Sequence, residues 1–118
     1  MKSIHSFPNI YLYQGITDFR KSIDGLAFIV EQELKVDVFS EALFIFVARD
    51  RFKLKLLYWD KSGFALWYKR LEKEKFILPR KQGSQSIHLT SKELERMLEG
   101  LDIFKIKPHG NLYYTKVS

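Results

Sequence analysis

Residues 42–47, ALFIFV, form an unbroken apolar run with aromatic and β-branched members. A run of this length without polar alternation reads as a central strand buried on both faces, so helices or loops must cover each side of its sheet. Two alternating segments follow, 52–59 and 64–70, joined at Asp60-Lys61-Ser62-Gly63. Asp at the start and Gly at the end suit a type I hairpin turn. Period-2 alternation puts Lys53, Lys55, Leu57 and Trp59 on one face and Leu54, Leu56 and Tyr58 on the other, the leucine set being the better core face.

Before this unit, residues 10–13 (IYLY) read as a short strand closed by Gly15. Thr17 or Asp18 offers an N-cap for a helix to about Lys35, with Phe19, Ile23, Leu26, Ala27, Val30 and Leu34 on one face. Gly25 inside that helix points to close packing against another element. After the hairpin, Phe76-Ile77-Leu78 is a weak strand ended by Pro79, 80–86 is a polar loop, and Ile87 to Leu89 suits a sheet edge. Thr90 and Glu93 match a capping box, and the helix they open carries Leu94, Met97, Leu98 and Leu101, with Gly100 placed to end it. The fold expected is α+β: a mainly antiparallel sheet with a central hairpin, packed by two helices. Residues 1–104 make a single domain and 105–118 a tail or added strand.

Composition narrows the function. The 118 residues include no cysteine, which removes disulfides, thiolate catalysis and cysteine-ligated metals and is compatible with the cytoplasm. No window approaches a membrane span, and the N-terminus lacks the apolar core of a signal peptide. Of the net charge of +6, residues 49–81 hold eleven Lys/Arg against four acids, or +7, and the remainder holds nine against ten, or −1. The positive charge is thus gathered on one supersecondary unit that also carries Tyr58, Trp59, Trp67 and Tyr68.

Such a surface suits a polyanion, nucleic acid first. The candidate contacts are Arg49, Arg51, Lys53, Lys55, Lys69, Arg70, Arg80 and Lys81. Arg20 and Lys21 join them because cations in a helix's first turn oppose its dipole and suggest a use. The four aromatics are candidates for stacking on bases or anchoring a protein partner. The plainer reading is that cations keep an exposed hairpin soluble and that at least two of the aromatics are core. Catalysis has little support. His5, His88 and His109 lie in separate regions, the glycines are isolated, and Asp18, Asp24, Asp60 and Glu72 are explained as cap, helix-surface and turn residues. Nothing calls for a metal or cofactor.

The string from Gly15 to Leu26, GITDFRKSIDGL, resembles the signature G-x-T-D-[MF]-R-K-x-[FI]-D-G-L of the TnpB-type accessory proteins of the insertion-sequence-66 family of bacterial mobile elements. The similarity continues through Phe39-Ser40, residues 43–46 (LFIF), 55–60 (KLLYWD), Gly63-Phe64, 66–72 (LWYKRLE), Phe76 to Pro79 and 98–102 (LEGLD). One departure lies before the Lys55 strand, where the family is commonly of an R-R-x-D-R kind and this chain reads Ala48-Arg49-Asp50-Arg51-Phe52-Lys53. The resemblance implies a non-enzymatic accessory factor for DNA transposition, encoded beside a DDE-type transposase. DNA contact through the 49–81 hairpin is the first expectation. Docking on the transposase, or self-association through the same surface, is the alternative.

Overall fold

The structure, a computed structural model, describes residues 3–78 and 83–99. Five strands form one sheet: β1 (Asn9–Tyr13), β2 (Ala42–Val47), β3 (Lys53–Asp60), β4 (Gly63–Arg70) and β5 (Ser86–His88), in the order β4-β3-β2-β1-β5. β1 and β2 are parallel and every other pair is antiparallel. Helix α1 (Ile23–Ile29) lies in the β1–β2 crossover, and α2 (Ser91–Leu98) follows β5. The class is α+β, as the sequence implies.

The apolar run becomes β2, and all six of its residues are buried. Its odd-numbered side chains Leu43, Ile45 and Val47 enter a core with Ile10, Leu12, Leu54, Leu56, Tyr58 and Phe76, closed by Leu94 and Met97 of α2. Its even-numbered Phe44 and Phe46 enter a second core with Tyr13, Leu57, and Leu26, Ile29 and Val30 of the α1 region. Phe19, Ile23, Ala27 and Leu34 pack against this second core, completing the apolar helix face read from the sequence. A three-layer arrangement answers the demand of β2 for cover on both sides.

Four local expectations need correction. The first helix begins at Ile23 and not near Asp18. Thr17 forms a parallel bridge with Ala48, and Asp18 then turns the chain by accepting the Arg20 N–H on Oδ1 (2.9 Å) and the Lys21 N–H on its carbonyl (3.0 Å). Asp18 serves a turn, a role its short acceptor side chain fits as well as a cap. The helix continues past Ile29 as a π-helical turn, Val30–Leu34, ending at Lys35 in the left-handed region (φ 56°). Gly25 is close to the chain's own Lys21, whose Cβ and Cγ would lie 3.1 Å from an added methyl.

The hairpin turn is not type I. Lys61 takes φ 46°, the sign a primed turn requires at its first central residue to follow the twist of the strands. Phe76 to Leu78 form no strand; Phe76 is buried, with its N–H donating to the Arg51 carbonyl (2.7 Å), so this apolar segment is a strap across the core and not a ladder strand. The hairpin also has two buried faces, since Leu57 is sealed under α1 as fully as Leu54 and Leu56 are under α2. The capping box of α2 is complete: Glu93 N–H donates to Thr90 Oγ1 (3.1 Å) and Thr90 N–H to Glu93 Oε1 (2.9 Å). Residues 80–82 of the 80–86 loop, Gly100, Leu101 and the 105–118 tail lie outside the described residues.

Candidate nucleic-acid interface

The alternation of β3 and β4 sorts the hairpin's candidates between the two faces. Lys53 pairs with Arg70 and Lys55 with Tyr68, all directed to the α1 side. Lys69 points to the α2 side, where its Nζ donates to the Leu98 carbonyl (2.7 Å) and sits at the helix C-terminus, a position that favours a cation. Lys69 is therefore separated from the other cations by the sheet. Arg80 and Lys81 lie outside the described residues.

The remaining seven lie at the end of the sheet away from the hairpin turn, on the 18–21 turn, the 48–52 loop and the open ends of β3 and β4. Lys55 ties the 18–21 turn to the hairpin, donating to the carbonyls of Phe19 and Lys21 (2.9 Å each) with its ammonium 4.8 Å from the centre of the Phe19 ring. The Thr17–Ala48 bridge brings the 48–52 loop alongside the same turn. Ile16, Thr17, Asp18, Phe19, Arg49 and Lys53 share one cleft there, and Arg49 and Arg51 border a second with Gly15 and Ile16. Thr17 is buried, and among the described residues its hydroxyl has no partner.

Three of the seven cations are matched by acids. Arg20 is held by Asp18 (2.8 Å), Lys53 by Asp50 (3.2 Å) and Arg70 by Glu72 (2.9 Å). The Arg20 side chain, then its backbone N–H, holds the Asp18 carboxyl down at about 2. Asp50 is lowered first by the Phe52 N–H and further by Lys53. Arg20 and Arg70 are raised in turn by their carboxylate partners. Lys55 is engaged by carbonyls, which leaves Lys21, Arg49 and Arg51. Their side chains are exposed and have no ion pair or hydrogen bond among the described residues.

The aromatics divide as well. Tyr58 is buried, edge-on to Phe7 with centroids 5.1 Å apart. Trp67 is half-buried against the α2-side core. Trp59 packs edge-on against Phe39 (4.9 Å) and Phe64 (5.0 Å) near the hairpin turn. Tyr68, 49 % exposed, is the one of the four open enough for a base to stack on its face. Sequence reasoning missed Ile16 (71 % exposed) and Phe39 (53 %), and the available signal was an apolar residue placed in a polar turn.

The carboxylates do not converge. Asp60 is at the hairpin turn, Asp18 and Glu72 are at the opposite end, and Asp24 is in the first turn of α1. Among the described residues no three His, Asp or Glu side chains are grouped to hold a metal. No described helix is long and apolar enough to cross a membrane.

A small three-layer α+β protein with one basic end and, among the described residues, no assembled catalytic group is the class these features define. Residues 8–108 match the family model described as IS66 Orf2-like protein, and the chain belongs to that family. A transposition-associated accessory role goes with membership, and the family is not a known class of enzyme. The chain is 36% identical over 102 residues to the uncharacterized protein y4jC of Sinorhizobium fredii, covering 86% of each. It is 31% identical over 93 residues to y4hO of the same organism, covering 79% of this chain and 80% of that one. No solved structure matches.

Proposed function

We propose that this protein serves transposition in the cytoplasm by contacting DNA through the basic end of its α1 face. The supporting observation is that Lys21, Arg49 and Arg51, on two loops that the Thr17–Ala48 bridge joins, are exposed and make no ion pair or side-chain hydrogen bond among the described residues. Lys53, Lys55 and Arg70 flank them, and Tyr68 offers an open ring on the same side. Unpaired cations release counterions from phosphates without first breaking a protein ion pair, so they are the ones that bind.

The test is fluorescence anisotropy with labelled terminal-repeat DNA of the element across a salt series, comparing wild type with Lys21→Ala/Arg49→Ala/Arg51→Ala. Three phosphate contacts contribute about −2.7 to the slope of log K against log salt, or roughly a 40-fold loss of affinity between 50 and 200 mM. The variant's slope should be shallower by that amount. An equal slope, or no binding by the wild type at low salt, overturns the reading. Lys55→Ala is a poor probe, because it would also release the 18–21 turn.

A second reading is favoured by the Phe39, Trp59 and Phe64 cluster at the other end of the same face, an aromatic anchor of the kind that dominates protein interfaces. There the partner is the element's transposase. Co-purification that survives nuclease and is lost in Phe39→Ala supports it.

A further inference from the structure

β4 is the outer strand of the sheet, eight residues long, and no described strand lies beyond it. Its first six residues, GFALWY, carry no charge and no proline, the devices by which exposed edges are normally blunted. The hydrogen-bond parity of this edge is fixed. Leu71 N–H donates to the Phe52 carbonyl (2.7 Å) and Asp60 pairs with Gly63, so odd-numbered residues of β4 bond to β3. Phe64, Leu66, Tyr68 and Arg70 therefore direct their backbone N–H and C=O groups outward.

We infer that this edge pairs with the same edge of a second copy, antiparallel about a two-fold axis, with Phe64 opposite Arg70 and Leu66 opposite Tyr68 of the partner copy. Three features select this occupant and register. It is the antiparallel register that uses all four outward-facing residues within the strand, giving mutual pairs that each exchange two hydrogen bonds. The strand is aromatic at its turn end and cationic at Lys69-Arg70, so antiparallel pairing sets each cation opposite an apolar or aromatic residue, whereas parallel pairing would align the cations. The pairing also closes, because the sheet's other edge is the three-residue β5, and the assembly stops at two. Both α1 faces then lie on the same side of one continuous sheet. The inference gives self-association a definite edge, and its failure leaves the DNA reading untouched.

Sedimentation equilibrium of the full chain at micromolar concentration tests it, with Tyr68→Pro, Phe64→Lys and Phe64→Glu beside wild type. Wild type should sediment at twice the chain mass. Tyr68→Pro removes an outward N–H and spares the ladder to β3, so it should be a folded monomer. With Glu72→Ala in both to free Arg70 of its own carboxylate, Phe64→Lys places like charge opposite Arg70 and Phe64→Glu places opposite charge there. Both lose the same packing, and with two symmetric pairs per dimer the Glu form should associate roughly tenfold more tightly than the Lys form. If Tyr68→Pro fails to fold, the Phe64 pair decides alone. A monomeric wild type overturns the inference, including one whose Leu66 and Tyr68 amides resist hydrogen exchange because the chain's own remaining residues cover the edge. So does a dimer indifferent to the sign of the charge at position 64.

Discussion

The α2 face and the α1 face are built from alternate residues of the same strands, yet they close differently. Under α2 the strands contribute Leu54, Leu56, Tyr58 and Trp67, and the layer is pinned at its rim by His5, whose ring lies 2.9 Å from Ser91 Oγ and 3.5 Å from Glu95. Under α1 the buried part is central, around Phe44, Phe46 and Leu57; beyond it lie cations at one end and Phe39, Trp59 and Phe64 at the other. One face is devoted to packing, while the other shares its length between packing and a surface fit for partners. Burial alone does not separate them, since Leu56 and Leu57 are equally sealed. What separates them is what joins the helix: Phe7, the Phe76 strap and Leu89 close the α2 face around its helix, whereas α1 and its π turn cover the centre of theirs and leave its ends open.

The largest expected effect breaks the closed face. Phe76→Ala empties a fully buried aromatic site and should cost about 3–5 kcal/mol, read as a lowered urea midpoint. A loss below about 1 kcal/mol would mean the strap is not part of that core.

The next concerns the α1 face and pH. Tyr13 donates to Glu33 Oε2 (2.9 Å), and burial, reinforced by Glu33, pushes its phenol up to about 12. The unfolded phenol titrates near 10, so between pH 10 and 12 the unfolded state loses a proton that the folded state keeps. Stability is then full below pH 10 and falls as pH rises through that window, by roughly 2 kcal/mol at its upper end. Tyr13→Phe should cost about 1 kcal/mol at neutral pH and flatten the alkaline decline, followed by denaturation at stepped pH.

The smallest effect sharpens the boundary between packing and surface. Lys55→Met keeps the apolar stem but abandons the carbonyls of Phe19 and Lys21, and should cost about 1–2 kcal/mol. Amide exchange should quicken at Arg20 and Lys21 while β2 and β3 stay protected; uniform quickening would assign Lys55 to the global core.

Much of this was legible in the chain because period and burial coincide. The run 42–47 announced its two covers, and the alternation of 53–59 gave the faces of β3 directly. Thr90 and Glu93 announced α2 through chemistry confined to four residues. The start of α1 was not legible, because Asp18 accepts bonds in a turn as readily as at a helix N-terminus; the deciding contact, Thr17 to Ala48, is 31 positions away. The charge segregation was visible, but the sheet puts Lys69 opposite its neighbours, and no count along a segment reports which cations are already neutralised. Asp18, Asp50 and Glu72 do that locally, within three residues of their partners.

The place of β1 between β2 and β5 also sets an order of assembly. The β2–β3–β4 meander needs only short-range closure, and the parallel pairing of β1 with β2 must close a loop of almost thirty residues. β5 has no partner in the sheet except β1. A chain emerging from the ribosome can complete its hairpins early, but the edge that carries α2 must wait until the first strand has docked. Losing the N-terminal strand would therefore free β5 and loosen the last described helix, although the two are some eighty residues apart in sequence.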